Sequence, residues 1–176
     1  KKIKENKLRK IIVSEEAKFW KFISNKKFLD INRVKLDQNL LYNYYKNKGY
    51  YDVSIESSSA KIINQTDFEL IFNINAGKKY YFGNVDLSIP QDYSIESFDK
   101  IIETMNKLEG EIYSLNKIKK ILKEIDEIAL TKEFEFINAK YKETTNNNKI
   151  NLVLELEELE KFYIERINIF GNFITD

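Results

Sequence analysis

The 176-residue chain contains no histidine and no cysteine. Without imidazole it cannot build a Ser–His triad or a histidine general base. Without a thiol it has no cysteine nucleophile, and without either it has no His–Cys zinc site. Disulfide staples are excluded as well, and the lack of cysteine does not decide between oxidising and reducing compartments. Proline occurs once and glycine five times, so each one is informative as punctuation. No apolar run approaches the roughly 18 residues that a membrane-spanning helix needs. The basic stretch from Lys1 to Lys7 is not followed by an apolar segment with a small-residue cleavage site, so it does not read as a secretory signal. Neither charge dominates: 29 basic residues face 28 acidic ones, for a net charge of +1. A nucleic-acid binder needs a positive excess to displace counterions, and that argument is missing here.

Hydrophobic residues make up 43% and charged residues 32%, a globular composition. The length suits one ordinary domain or two small ones. Leu8, Ile11 and Ile12 have helical spacing, and Ser14 resembles an N-cap with Glu15 and Glu16 behind it. Phe19, Trp20, Phe22 and Ile23 form an apolar connector. Asn32 is placed to cap a helix with two neighbouring stripes, Val34, Leu41 and Tyr45 beside Leu36, Leu40 and Tyr44. That helix is expected to end at Lys48-Gly49. The period then becomes two: Tyr51, Val53 and Ile55 alternate with Asp52, Ser54 and Glu56. Phe68, Leu70, Phe72 and Ile74 form the partner strand, closed by Ala76-Gly77, and the pair reads as a hairpin. Both sets are expected to face the helices.

The pattern repeats. Tyr81 to Leu87 reads as a strand, Ser94 as the cap of a helix carrying Phe98, Ile101, Ile102 and Met105, and Ser114 or Asn116 as the cap of the next. A strand starting at Phe134, Phe136 or Ile137 and a strand carrying Ile150, Leu152, Leu154 and Leu156 flank a turn at Asn146-Asn147-Asn148. Phe68, Leu70, Phe72 and Ile74 recur as those four residues 82 positions later, and Lys79-Tyr80-Tyr81-Phe82 as Lys161-Phe162-Tyr163-Ile164 at the same offset. The expected class is α+β: tandem modules of β-α-α-β-β order, each a three-stranded mixed sheet with two helices on one face. The division is 1–77 for a module lacking its opening strand, 78–160 for a complete one, and 161–176 for the first strand of another. The chain thus reads as a piece of a longer protein, and the strand Phe162–Ile169 as able to fill the gap in a neighbouring copy.

Candidate sites compete with plainer readings. Glu155, Glu157, Glu158 and Glu160 cluster, but a glycosidase pair needs carboxylates across a cleft, and a solvated face accounts for them better. Lys117, Lys119, Lys120 and Lys123 lie on the polar face of a helix; a docking surface for an acidic partner or lipid headgroup is the lesser reading. Tyr42, Tyr44, Tyr45, Tyr50 and Tyr51 suit packing better than stacking on bases, which would need a basic groove. No residue set points to a catalytic group, a metal site or a cofactor site. The strand Tyr50, Tyr51, Asp52, Val53, Ser54, Ile55, Glu56 and Ser57 is different. As a sheet edge it offers free N–H and C=O groups to an extended peptide. Against this stands an edge blunted by Asp52, Glu56 and nearby lysines.

The segment from Leu29 to Val53 resembles the second helix and second strand of a POTRA domain of the BamA family, nearest to the third such domain. Trp20 matches the aromatic connector of that module. Phe162 to Asn172 resembles the opening strand and Gly-Asn turn of the fifth, which makes 79–160 the fourth. The turn signatures are Gly49, Gly77, Gly171 and Asn172. Two departures stand in the middle unit: Lys132-Glu133-Phe134 replaces the usual Gly-Tyr, and Asp86 to Pro90 replaces a Gly-Asn. The resemblance implies a non-catalytic, cofactor-free periplasmic part of an outer-membrane protein anchored by a C-terminal β-barrel. It implies docking of unfolded barrel precursors along Tyr50–Ser57 and scaffolding of partner lipoproteins, with no nucleic acid involved. A structural spacer, or modules of another transporter or division protein, are the alternatives.

Overall fold

The computed structural model describes residues 3–14, 31–62, 68–91, 93–131, 137–158 and 166–168. The second module is complete. Strand β3 (Tyr81–Ser88) leads through a 3-10 turn (Ile95–Phe98) into helix α3 (Asp99–Asn106); then come helix α4 (Leu115–Thr131) and strands β4 (Ile137–Asn146) and β5 (Lys149–Glu158). The sheet order is β3-β5-β4, with β3 parallel and β4 antiparallel to the central strand. Alternation explains β5: Ile150, Leu152, Leu154 and Leu156 are buried while the residues between them are less so. Helix α4 meets that face with Ile118, Ile121 and Ile125, and α3 adds Ile101 and Met105. Burying each such side chain contributes roughly 1.5–3 kcal/mol. The β4–β5 turn is two residues long, and Asn147 takes its positive φ of 55°, as asparagine tolerates.

In the first module, short helix α1 (Glu5–Leu8) precedes helix α2 (Ile31–Lys46), strand β1 (Ser54–Ile62) and strand β2 (Phe68–Asn75). Among the described residues its sheet has two antiparallel strands. The small core joins Tyr45, Tyr50 and Val53, with Ile3, Leu8, Tyr44, Ile74 and Ala76 against it.

Several expectations need correction. Helix α1 stops at Leu8, where the expected helix began, because only turns follow it. Asn32 lies within α2 and not before it. The buried stripe of α2 is Asp37, Leu41 and Tyr45, and Leu36 is 45% exposed. Ser94 precedes the 3-10 turn, yet its side chain makes no capping bond. Residues 166–168 are exposed and carry no strand. Trp20 and its connector, the 132–134 departure, Phe136, Glu160, Phe162–Glu165, Gly171 and Asn172 lie outside the described residues.

Candidate functional site

The expected edge strand begins where α2 ends. Gly49 N–H bonds to Lys46 O at 3.1 Å and Tyr50 N–H to Tyr45 O at 3.1 Å, the paired bonds of a Schellman ending with Gly49 at φ 88°. The Tyr45 and Tyr50 rings pack edge to face at 5.6 Å, which closes the motif. Val53 N–H then bonds back to Tyr50 O, so the chain turns again before it extends. Strand β1 therefore starts at Ser54. Tyr50, Tyr51, Asp52 and Val53 belong to a turn, and the alternation that suggested a strand has another cause. Tyr50 and Val53 enter the first core, while Tyr51 leaves it and packs on the core of the second module.

That turn is the junction between modules. Tyr51 and Tyr113 both donate their hydroxyls to Glu143 of β4, at 2.9 and 2.7 Å. The Tyr80 hydroxyl donates to Asp52 at 2.5 Å, and Tyr80 N–H bonds to Gly49 O at 2.8 Å. Asn47 accepts from the backbone N–H of Asn116 at 2.7 Å and from the Ser114 hydroxyl at 3.2 Å. The Lys46 ammonium lies 3.7 Å from the Tyr51 ring centroid, a cation–π contact. Burial, then the hydrogen bond to Glu143, pushes the Tyr51 phenol up to about 12. The same causes raise Tyr113 further. At Tyr80 the bond to Asp52 comes first.

Ser54, Ile55, Glu56 and Ser57 do lie on a strand. Strand β1 pairs with β2 from Ser54↔Asn75 to Ile62↔Phe68, and the register shifts between Ile55 and Ser57, leaving Glu56 as a bulge. Among the described residues no strand pairs with the far side of β1, nor with the far side of β2. The repeat-equivalent of β2 is β5, which has β3 on that side. Among the described residues the edge without a second partner runs from Ser54 to Ile62, longer and later than Tyr50–Ser57. Of the turn signatures, Gly49 and Gly77 have positive φ, 88° and 65°.

The charged clusters pair off. Glu155 meets Lys142 at 2.8 Å and Glu157 meets Lys140 at 2.5 Å across β4 and β5, while Tyr93 donates to Glu158. Lys117 pairs with Glu111, Lys120 with Glu124 and Lys123 with Glu127. Exposed pairs of this kind contribute at most about 1 kcal/mol each. Among the described residues no group of three or more acidic side chains could hold a metal ion.

Pattern reading missed three residues: Asn47, Glu143 and Asp37. Asn47 follows the last helical residue and reads as an ordinary helix end. Glu143 sits in a polar strand among lysines. Asp37 is fully buried in the α2 stripe, where it accepts from Val13 N–H at 2.7 Å and from Ser14 N–H at 3.3 Å. Its position four residues before Leu41 was the available signal.

The sequence and the fold resemble those of known proteins. A family model described as POTRA, surface antigen variable number repeat, matches residues 1–77. The chain is 24% identical over 170 residues to the outer membrane protein assembly factor BamA of Neorickettsia risticii, covering 96% of this chain and 22% of that protein. Its fold resembles the crystal structure of Haemophilus influenzae BamA POTRA3-5, with a TM-score of 0.65 at 13% identity over 99% of this chain and 68% of that one. It also resembles POTRA1-2 of the periplasmic domain of Omp85 from Anabaena, with a TM-score of 0.51 at 12% identity over 90% and 86% of the two chains. Residues 1–77 match the POTRA family model, and over nearly the whole chain the fold resembles that of the BamA and Omp85 POTRA structures.

Proposed function

We propose that this chain serves in the periplasm as part of an outer-membrane β-barrel assembly protein. In that role the edge of β1 takes an extended segment of an unfolded barrel protein as an added strand. The observation that carries this reading is the pairing of β1 on one side only among the described residues. Main-chain bonds along such an edge give affinity with little dependence on sequence, as a handler of many precursors needs. Partner lipoproteins then bind the remaining faces, a C-terminal barrel anchors the parent, and no chemistry is catalysed.

Amide chemical shifts on addition of a barrel-strand peptide test the reading, with changes expected along Ser54–Ile62. Proline supplies the second arm. Of two successive strand residues, one N–H points to the partner strand and the other outward. Of Ser58→Pro and Ser59→Pro, the variant that keeps the β1–β2 ladder should lose peptide binding. Retained binding in that variant would defeat the proposal. Val53 is unsuitable for this test because it is 4% exposed and lies in the core.

A second reading, a rigid spacer, is favoured by the hydrogen-bonded junction. It predicts no shift changes with peptide anywhere on the chain.

A further inference from the structure

The near-equal charge count conceals a local separation. A groove of about 760 Å3 lies between the N-terminal segment and the end of α2. Among the described residues five lysines line it: Lys4, Lys7, Lys10, Lys48 and Lys79. All five are exposed. Lysines of the second module stand close to glutamates, as Lys107, Lys117, Lys120, Lys123, Lys140 and Lys142 show. None of the five groove lysines has an ion-pair partner among the described residues. Among the described residues no acidic side chain lines the groove, and the adjacent Glu5 carboxylate is held by Arg9 at 2.8 Å.

The groove also has an aromatic wall. Tyr44 and Tyr50 line it, with the Lys48 ammonium 5.9 Å from the Tyr44 ring centroid and the Lys79 ammonium 5.8 Å from that of Tyr50. Clustered like charges without counter-charges repel one another and draw in a polyanion. Ammonium groups act as point charges without the guanidinium fork, so they set little geometric demand on each carboxylate.

We propose that this groove binds an acidic, extended segment of a partner polypeptide. Ile3 and the half-buried Tyr44 lie among the lysines, so the surface alternates charge with apolar contact, as an acidic polypeptide with apolar stems between its carboxylates does. The half-buried Tyr44 ring supplies apolar contact for the backbone and side-chain stems between acidic residues, backed by Tyr50 in the core. The site is separate from the β1 edge, so either can fail without the other.

The test is fluorescence anisotropy of fluorescein-labelled decaglutamate with the whole chain. The wild type should bind, more weakly as salt shortens the range of the charges. Lys4→Glu with Lys7→Glu should weaken binding about tenfold or more. Lys119→Glu with Lys120→Glu, the same charge change on α4, should change it less than about twofold. Both pairs are exposed, and circular dichroism confirms that each variant is folded. Equal losses in the two variants would reduce the effect to net charge and overturn the site. Absence of binding to the wild type overturns it directly. Binding to phosphatidylglycerol vesicles without binding to decaglutamate would also overturn it, assigning the lysines to a lipid surface.

Discussion

Asn47, one residue past α2 in the first module, accepts the backbone N–H of Asn116 in the first turn of α4 in the second, at 2.7 Å. Helix starts leave such donors unpaired, and a nearby Ser, Asp or Asn in the same segment usually takes them. Here the residue at the cap position is Ser114, yet its hydroxyl also turns to Asn47. One module caps the other's helix.

Asn47→Ala should therefore destabilise the second module, although the substitution lies in the first. Loss of a cap costs about 0.5–2 kcal/mol. Urea unfolding followed by amide signals of α4 measures it. A loss confined to the first module would contradict the assignment.

Gly49→Ala and Gly110→Ala should separate. Both glycines have positive φ, at 88° and 78°. An added Cβ at Gly49 would lie 2.7 Å from Ile112 Cγ2 and 3.2 Å from Tyr80 O, whereas one at Gly110 meets nothing within 4 Å. Gly110→Ala should cost only the left-handed penalty, about 1 kcal/mol. Gly49→Ala should cost about 2 kcal/mol or more, because the neighbouring module must also shift. Thermal melts of the two variants give the comparison.

Alkaline pH should weaken the junction. In the unfolded chain a tyrosine ionises near pH 10, while folded Tyr51 is pushed up to about 12. Below about pH 10 both states keep the proton and the contribution of Tyr51 is complete. Between about 10 and 12 the unfolded state loses its proton first, so stability falls as pH rises. Tyr51→Phe should cost about 0.5–1.5 kcal/mol at neutral pH through the lost bond to Glu143. It should also make the alkaline decline shallower. Denaturant midpoints at a series of pH values test both parts.

Asp37→Ala should release the segment before residue 15. The carboxylate is fully buried and holds the Val13 and Ser14 amides. Removing it costs about 1–3 kcal/mol. Faster hydrogen exchange at Val13 and Ser14 is the local sign.

The second module was legible because its strands are half-buried: Ile150 to Leu156 alternate as an amphipathic strand must, and Ile118, Ile121 and Ile125 mark a helix face. The junction was not. Tyr50 to Val53 imitates strand alternation because successive side chains enter two different cores, a distinction that no local period encodes. Bonds such as Tyr51–Glu143 join residues 92 positions apart. Asp37 misled in the opposite way: its charge marks a surface position until the amides it binds are known. The groove lysines were hidden by an overall balance that says nothing about where charges gather.

The irregularity at Glu56 sets a size limit on any visitor to β1. Backbone pairing is continuous only from Ser57 to Ile62, six residues. A visiting chain would find an uninterrupted berth of that length and would have to buckle to reach further toward Ser54.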